Sequence, residues 1–238
     1  MLPMMIYGGY FAYRLQYLLF MLPALILMVA AQGLVSSRYK RYGAILNRTS
    51  LSGREAAERI LAANGIVDVG VTLTSGRLSD HYHPKKKTLY LSNDVYYGTS
   101  IAAVGIAAHE AGHAVQDAQG YAPLKIRLAL IPDCNIGSNL GLPLAILGVI
   151  FASDWLIWGG LILFSLAVLF QLITLPVEFN ASRRAMAEIR HGALLAPDEA
   201  DGARKVLSAA AMTYVAALAQ SVMTLLYYVM RFGSRNER

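Results

Sequence analysis

Within five residues, His109-Glu110-Ala111-Gly112-His113 carries three groups able to do chemistry. On a helix, positions i and i+4 lie one turn apart on one face, so both imidazoles reach a single ion. Zinc suits the pair, because imidazole nitrogen is a good borderline ligand at about 2.0–2.1 Å. Glu110, next to the first ligand, reaches a water in an open coordination position and takes its proton, which is how H-E-x-x-H is read in metalloproteases. Set amid Ala and Gly, the three groups would be costly to bury as ordinary core residues without a metal partner.

A catalytic zinc takes a third protein ligand and keeps one position open. Gln116 and Gln119 stand where the metzincin extension needs Gly and His, which excludes that class. Asp117, one turn beyond His113, shares the ligand face, where such a residue more often orients a histidine than binds the metal. His81 and His83, in Asp80-His81-Tyr82-His83-Pro84, are open as ligands or substrate-contacting groups, against a plain polar turn. Glu178 is preferred. It stands where an apolar span meets the cytoplasm, with Pro176 expected to break that span just before it. Two spans separate it from His113, so it returns to the same side of the membrane. An interfacial carboxylate paired with Arg183 or Arg184 is the competing reading.

These residues must be held by a membrane protein. The chain of 238 residues is 56% hydrophobic and only 15% charged, which excludes a disordered chain. One cysteine, Cys134, excludes a disulfide scaffold. The net charge of +6 is the excess a membrane protein collects in its cytoplasmic loops, and nucleic acid is not expected as a partner. About four spans are expected, at Tyr17–Val35, Cys134–Ser153, Trp155–Leu175 and Val206–Met230. The first could instead be a signal peptide, with Val29-Ala30-Ala31 resembling a cleavage triplet. Arg14 is late for that reading, and Arg38, Lys40 and Arg41 suit a retained anchor. Lys and Arg concentrate between the first two spans and from Glu178 to Lys205, placing both segments in the cytoplasm and both termini outside. The tail, with Arg231, Arg235 and Arg238 against Glu237, dissents mildly. Five parts result: an anchor at 1–35, a catalytic segment at 36–133, a two-span hairpin at 134–177, a second cytoplasmic segment at 178–205, and a last span with its tail at 206–238.

Inside the catalytic segment, Ser52–Ala63 has helical spacing, a serine cap and an Asn64-Gly65 stop. Val67–Leu73 and Lys87–Ser92 alternate apolar and polar, with Gly76 and Pro84 marking turns, so a small antiparallel sheet is expected. Ser100–Ala118 is too short for a span and reads as a buried or membrane-flush helix. The expected fold is therefore a mainly α-helical integral membrane protein with a small cytoplasmic α+β segment.

The chain resembles the YugP-type neutral zinc metallopeptidases of bacterial membranes over nearly its whole length. The likeness runs through SGREAAERIL, the DHYHP turn, LYLSNDVYY, AAHEAGHAVQD, ITLPVEFNASRRAM and KVLSAAAMTYVAA. It implies a multi-pass metallopeptidase of the cell membrane holding one zinc ion. His109 and His113 carry over as zinc ligands, Glu110 as the catalyst and Glu178 as the third ligand. The family turn reads Asp-His-Tyr-Asp-Pro, so His83 departs where an aspartate is expected.

The implied reaction is hydrolysis of a peptide or protein substrate, membrane proteins included, by a zinc-activated water with Glu110 as general base. His81 or Tyr82 is expected to steady the oxyanion. The strand Lys87–Ser92 could offer an edge to an extended substrate. Three other readings compete. An intramembrane protease would place the motif in a true span with an aspartate from a later one. A scaffold or assembly factor would close a structural zinc site with a fourth ligand. A transporter would carry charges at the centres of its spans. Small residues in the last span allow self-association without demanding it.

Overall fold

The computed structural model describes residues 2–233, and side chains outside 2–14, 132 and 133. The expectations for Arg14 and for the tail beyond Gly233 lie outside these. In chain order the elements are α1 (Leu2–Gly43), α2 (Gly53–Ala63), β1 (Gly70–Thr74), β2 (His81–His83), a 3-10 turn (Pro84–Lys86), β3 (Thr88–Ser92), α3 (Asn93–Tyr96), α4 (Ile101–Ala118), α5 (Ala122–Ile150), α6 (Asp154–His191) and α7 (Pro197–Gly233). Two compact units form, and each long helix lends residues to both: one from 2–30, 129–172 and 213–233, the other from 31–128 and 173–212.

The first unit is helical. Leu18, Leu19, Ile26, Val29 and Ile162 are exposed, as side chains that face lipid would be. Among the described residues, three helices are long and apolar enough to cross a membrane: Leu15–Gly43, Asp154–His191 and Pro197–Gly233. The remaining expected span is α5, whose parts Ala122–Ile131 and Cys134–Ile150 bend by 50° and pass only as a pair. Glycines set the approach of α5 to α6. A Cβ on Gly137 would lie 2.5 Å from the Leu163 carbonyl oxygen, and one on Gly141 2.6 Å from the Phe164 nitrogen. Small residues let helix backbones meet in this way, giving dispersion contacts where lipid supplies no hydrophobic drive.

The second unit is built around α4. Ser52 caps α2 in a full capping box with Glu55, and Gly65 ends it at a φ of 67°. Ala56, Ala57, Ile60 and Leu61 turn inward from α2 and share one core with Val104, Ala107, Ala108 and Ala111 of α4. As expected, α4 is buried along most of its length. Its glycines again permit contact: a Cβ on Gly105 would be 3.2 Å from that of Ala203 in α7, and one on Gly112 2.7 Å from the Ala181 oxygen in α6.

The sheet departs from expectation. Its order is β1-β3-β2, with β1 parallel to β3 and β2 antiparallel to it. The Asp80–Pro84 stretch is not merely a turn but contains β2, with His81 opposite Tyr90 and His83 opposite Thr88. A tight 3-10 turn closes β2 onto β3, so β1, arriving in the same direction as β3, takes its other edge. Strand β3 is thus central and offers no edge to a substrate. Nor does Pro176 break its helix, which continues to His191. Proline removes one backbone donor, and neighbouring helices make that loss tolerable in apolar helices.

Candidate metal centre

Helix α4 presents His109 and His113 one turn apart, and α6 brings Glu178 against them. The donor atoms of the three lie within 4.8 Å of one another. Glu178 Oε2 is 3.2 Å from His109 Nε2 and 3.6 Å from His113 Nε2. Two ligand atoms on a tetrahedral zinc with bonds near 2.1 Å lie about 3.4 Å apart. The three residues therefore fit a zinc ion in both chemistry and spacing.

The other atom of each donor group is anchored. His113 Nδ1 lies 3.0 Å from Gln116 Oε1. The Gln116 amide nitrogen donates to the Val177 carbonyl at 2.9 Å and to Asn180 Oδ1 at 2.9 Å, which fixes Oε1 as the atom facing the ring. An amide oxygen only accepts, so Nδ1 of His113 carries the proton and Nε2 keeps its lone pair for a metal. His109 Nδ1 is 3.1 Å from Ser182 Oγ, which accepts from the same tautomer. Arg127 Nη1 donates to Glu178 Oε1 at 2.9 Å, leaving Oε2 turned to the histidines. Such outer partners fix ring orientation and ligand basicity. In the metal-free protein burial alone would lower the His113 pKa. The hydrogen bond that His113 donates to Glu178 and the charges of Glu110 and Glu178 outweigh it, and the value is raised.

Glu110 is buried on α4, and its Oε2 accepts the Tyr82 backbone N–H of β2 at 3.1 Å. The Tyr82 hydroxyl donates to Asp117 Oδ2 at 2.8 Å, and Lys87 Nζ donates to the same oxygen at 2.7 Å. Tyr82 thus ties β2 to α4 at two points two turns apart. Burial first, and then Asp117, raise the Tyr82 pKa, so its hydroxyl stays protonated. Asp117 serves this tie and is not bonded to either histidine, in contrast to the orienting role its position suggested.

His81 and His83 do not join the three donors. His81 is exposed, stacks on Tyr90 at 4.8 Å, and places Nδ1 2.8 Å from the Ser79 carbonyl. His83 caps the 3-10 turn, its Nδ1 accepting from the Lys86 N–H at 3.3 Å. Asp80 accepts from the Ser92 N–H and hydroxyl, fastening the start of β2 to the end of β3.

The supporting residues Gln116, Arg127, Asn180 and Ser182 were not found from sequence. Arg127 left one signal, as a lone guanidinium at the head of an apolar run, where a charge needs a partner. Ser182, four residues after Glu178, left another, since i and i+4 share a helix face.

Two histidines and a glutamate on a helix-borne H-E-x-x-H frame are the donor set of the His2Glu zinc hydrolases. The chain belongs to the family described as "putative neutral zinc metallopeptidase", whose model matches residues 17–233. It is similar to the Bacillus subtilis (strain 168) protein described as "putative membrane protease YugP", with 46% identity over 202 residues covering 85% of this chain and 90% of the relative. No solved structure matches it.

Proposed function

We propose that this chain is a membrane-embedded zinc endopeptidase that hydrolyses peptide bonds at the cytoplasmic face of the membrane. The observation that carries the reading is the meeting of His109, His113 and Glu178 beside a buried Glu110 whose carboxylate is already oriented by Tyr82. Zinc, when bound by these three donors, supplies a Lewis acid that makes water acidic and polarises a carbonyl. Glu110 Oε1 has no donor among the described residues, and it takes the proton of the attacking water and returns it to the departing amine. His81 turns Nδ1 to the Ser79 carbonyl, which leaves Nε2 as the atom that can face an oxyanion. Tyr82 has its hydroxyl proton engaged by Asp117, which leaves His81 the better of the two oxyanion candidates. An extended substrate pairs along β2, the edge strand next to Glu110, and not along β3. The Lys and Arg content of residues 36–133 and 178–205 supports the cytoplasmic side.

A closed structural zinc site would need a fourth ligand. Among the described residues His81, His83 and Asp117, its candidates, do not join the group formed by His109, His113 and Glu178, which favours the open, catalytic reading. Glu110→Gln tests it. The variant should keep zinc at the wild-type stoichiometry while cleavage of an unfolded protein substrate in detergent falls by at least a thousandfold. Undiminished cleavage would refute Glu110 as the base.

A further inference from the structure

A cavity in the unit that holds α4 has no part in the reaction above. It measures about 620 Å³ and opens between the end of α1, the loop at Arg77 and the segment from Asn93 to Ser100. Its charged lining is Lys40, Arg77 and Asp94, two cations against one anion, a net of +1. The Arg77 guanidinium lies 5.4 Å over the Tyr39 ring and 3.9 Å from Asp94. Asn93 and Thr99 add neutral polar groups. On the lining, Leu46 and Tyr97 are exposed by 70% and 65%.

Depth decides what such a cavity meets. The charge-free apolar run of α1 ends at Val35, and Tyr39 and Lys40 follow four and five residues later. At 1.5 Å per helical residue that is about 6–8 Å beyond the end of the run. The headgroup layer of one leaflet is about 5–8 Å thick, the difference between the hydrocarbon core and the whole bilayer shared by two faces. On that count Lys40 would stand at the level of the lipid phosphates, with exposed apolar side chains beside it.

We propose that this cavity binds the headgroup of an anionic, hydroxyl-bearing phospholipid. Lys40 and Arg77 take the phosphodiester, while Asp94, Asn93 and Thr99 bond the headgroup hydroxyls. Leu46 and Tyr97 rest at the boundary of headgroup and acyl chain. A net lining charge of +1 matches one phosphodiester. A zwitterionic headgroup would bring its own cation and leave that charge unbalanced. Inorganic phosphate shares the anion chemistry, but it makes no use of the apolar rim or of the depth.

The test uses the full chain in detergent and needs no peptidase activity. Native mass spectrometry should show dioleoyl-phosphatidylglycerol retained at one equivalent, with an affinity at least tenfold above that for dioleoyl-phosphatidylcholine. Lys40→Gln with Arg77→Gln should erase that preference while the circular dichroism spectrum is unchanged. Leu46→Glu, at a side chain that is 70% exposed, should weaken it as well and serves if the double variant misfolds. Equal retention of the two lipids, or a preference that survives in Leu46→Glu or in a folded double variant, overturns the proposal. Thermal stabilisation by millimolar inorganic phosphate without a retained lipid overturns it in favour of a soluble phosphate site.

Discussion

Replacing Gln116 by leucine should weaken zinc binding without touching a ligand. The side chain is fully buried and makes three hydrogen bonds, to His113, Val177 and Asn180. Leucine is close in volume, so no cavity opens. The Val177 carbonyl lies inside α6, where the helical ladder still offers it a donor, and Asn180 Oδ1 keeps the Arg184 Nε–H at 2.7 Å. The one group left orphaned is the His113 Nδ1–H. An unpaired buried donor costs about 1–3 kcal/mol. The ring can escape that cost by moving its proton to Nε2, which faces Glu178 Oε2 at 3.6 Å, but this removes the lone pair a metal needs. Loss of an outer partner of this kind typically weakens metal affinity about 10–100-fold, equivalent to about 1.4–2.8 kcal/mol. Competition against a chromophoric chelator, in detergent at fixed pH, measures the ratio directly. Gln116→Glu, which keeps an acceptor facing Nδ1, should retain more affinity than Gln116→Leu. A leucine variant within twofold of wild type would refute the assignment of the His113 tautomer.

Three further outcomes follow from the same geometry. Arg127→Met leaves Glu178, only 3% exposed, without its guanidinium, and should destabilise the metal-free protein by about 3–5 kcal/mol; zinc at the same carboxylate offsets the loss, so the Tm gap between chelated and zinc-loaded protein should widen, and an equal drop in both would refute the pairing. Gly112→Ala drives a methyl to 2.7 Å from the Ala181 oxygen, so α4 and α6 must separate, with a cost of about 1–3 kcal/mol and weaker zinc binding by the chelator assay. The raised His113 pKa gives the chelated protein stability that is fully present below about pH 6.5, the ordinary histidine value, and is lost as pH rises through the folded value; zinc, which competes with that proton, should bind more tightly over the same rise, so denaturation midpoints with and without chelator should diverge as pH increases.

How far the sequence disclosed this arrangement depended on whether the information was local. His109, Glu110 and His113 are joined by helix periodicity alone, and α2 by its capping box, so both were legible. The preference for Glu178 rests on a count of membrane crossings, and α6 does bring its carboxylate to the two histidines. The sheet could not be read in this way. Alternation identifies a strand and its faces but not its neighbours, and His81–His83 is too short to show alternation at all, so the centrality of β3 was invisible. Pro176 misled because a proline ends a helix in water, while an apolar helix packed among others carries on through it. At His83 the resemblance implies an aspartate. At the start of a 3-10 turn, however, either residue offers an acceptor to the Lys86 N–H, so the position answers to capping and not to a metal.

Most of the hydrogen bonds that orient the donors come from one helix pair. Helix α6 contributes Glu178, the Ser182 hydroxyl against His109, and the Val177 carbonyl and Asn180 amide that aim Gln116 at His113. Helix α4 contributes both imidazoles, Glu110 and Gln116 itself. All of these contacts require the two backbones to lie unusually close, and that closeness exists because residue 112 has no side chain. The Gly112 of H-E-x-x-H is therefore not a free position in this chain. It sets the distance at which Glu178 meets the histidines, while Arg127, from a third helix, sets which carboxylate oxygen does so. With each donor's second atom already engaged, little ligand reorganisation is left for metal binding to overcome, and affinity should answer to the anchors nearly as strongly as to the ligands.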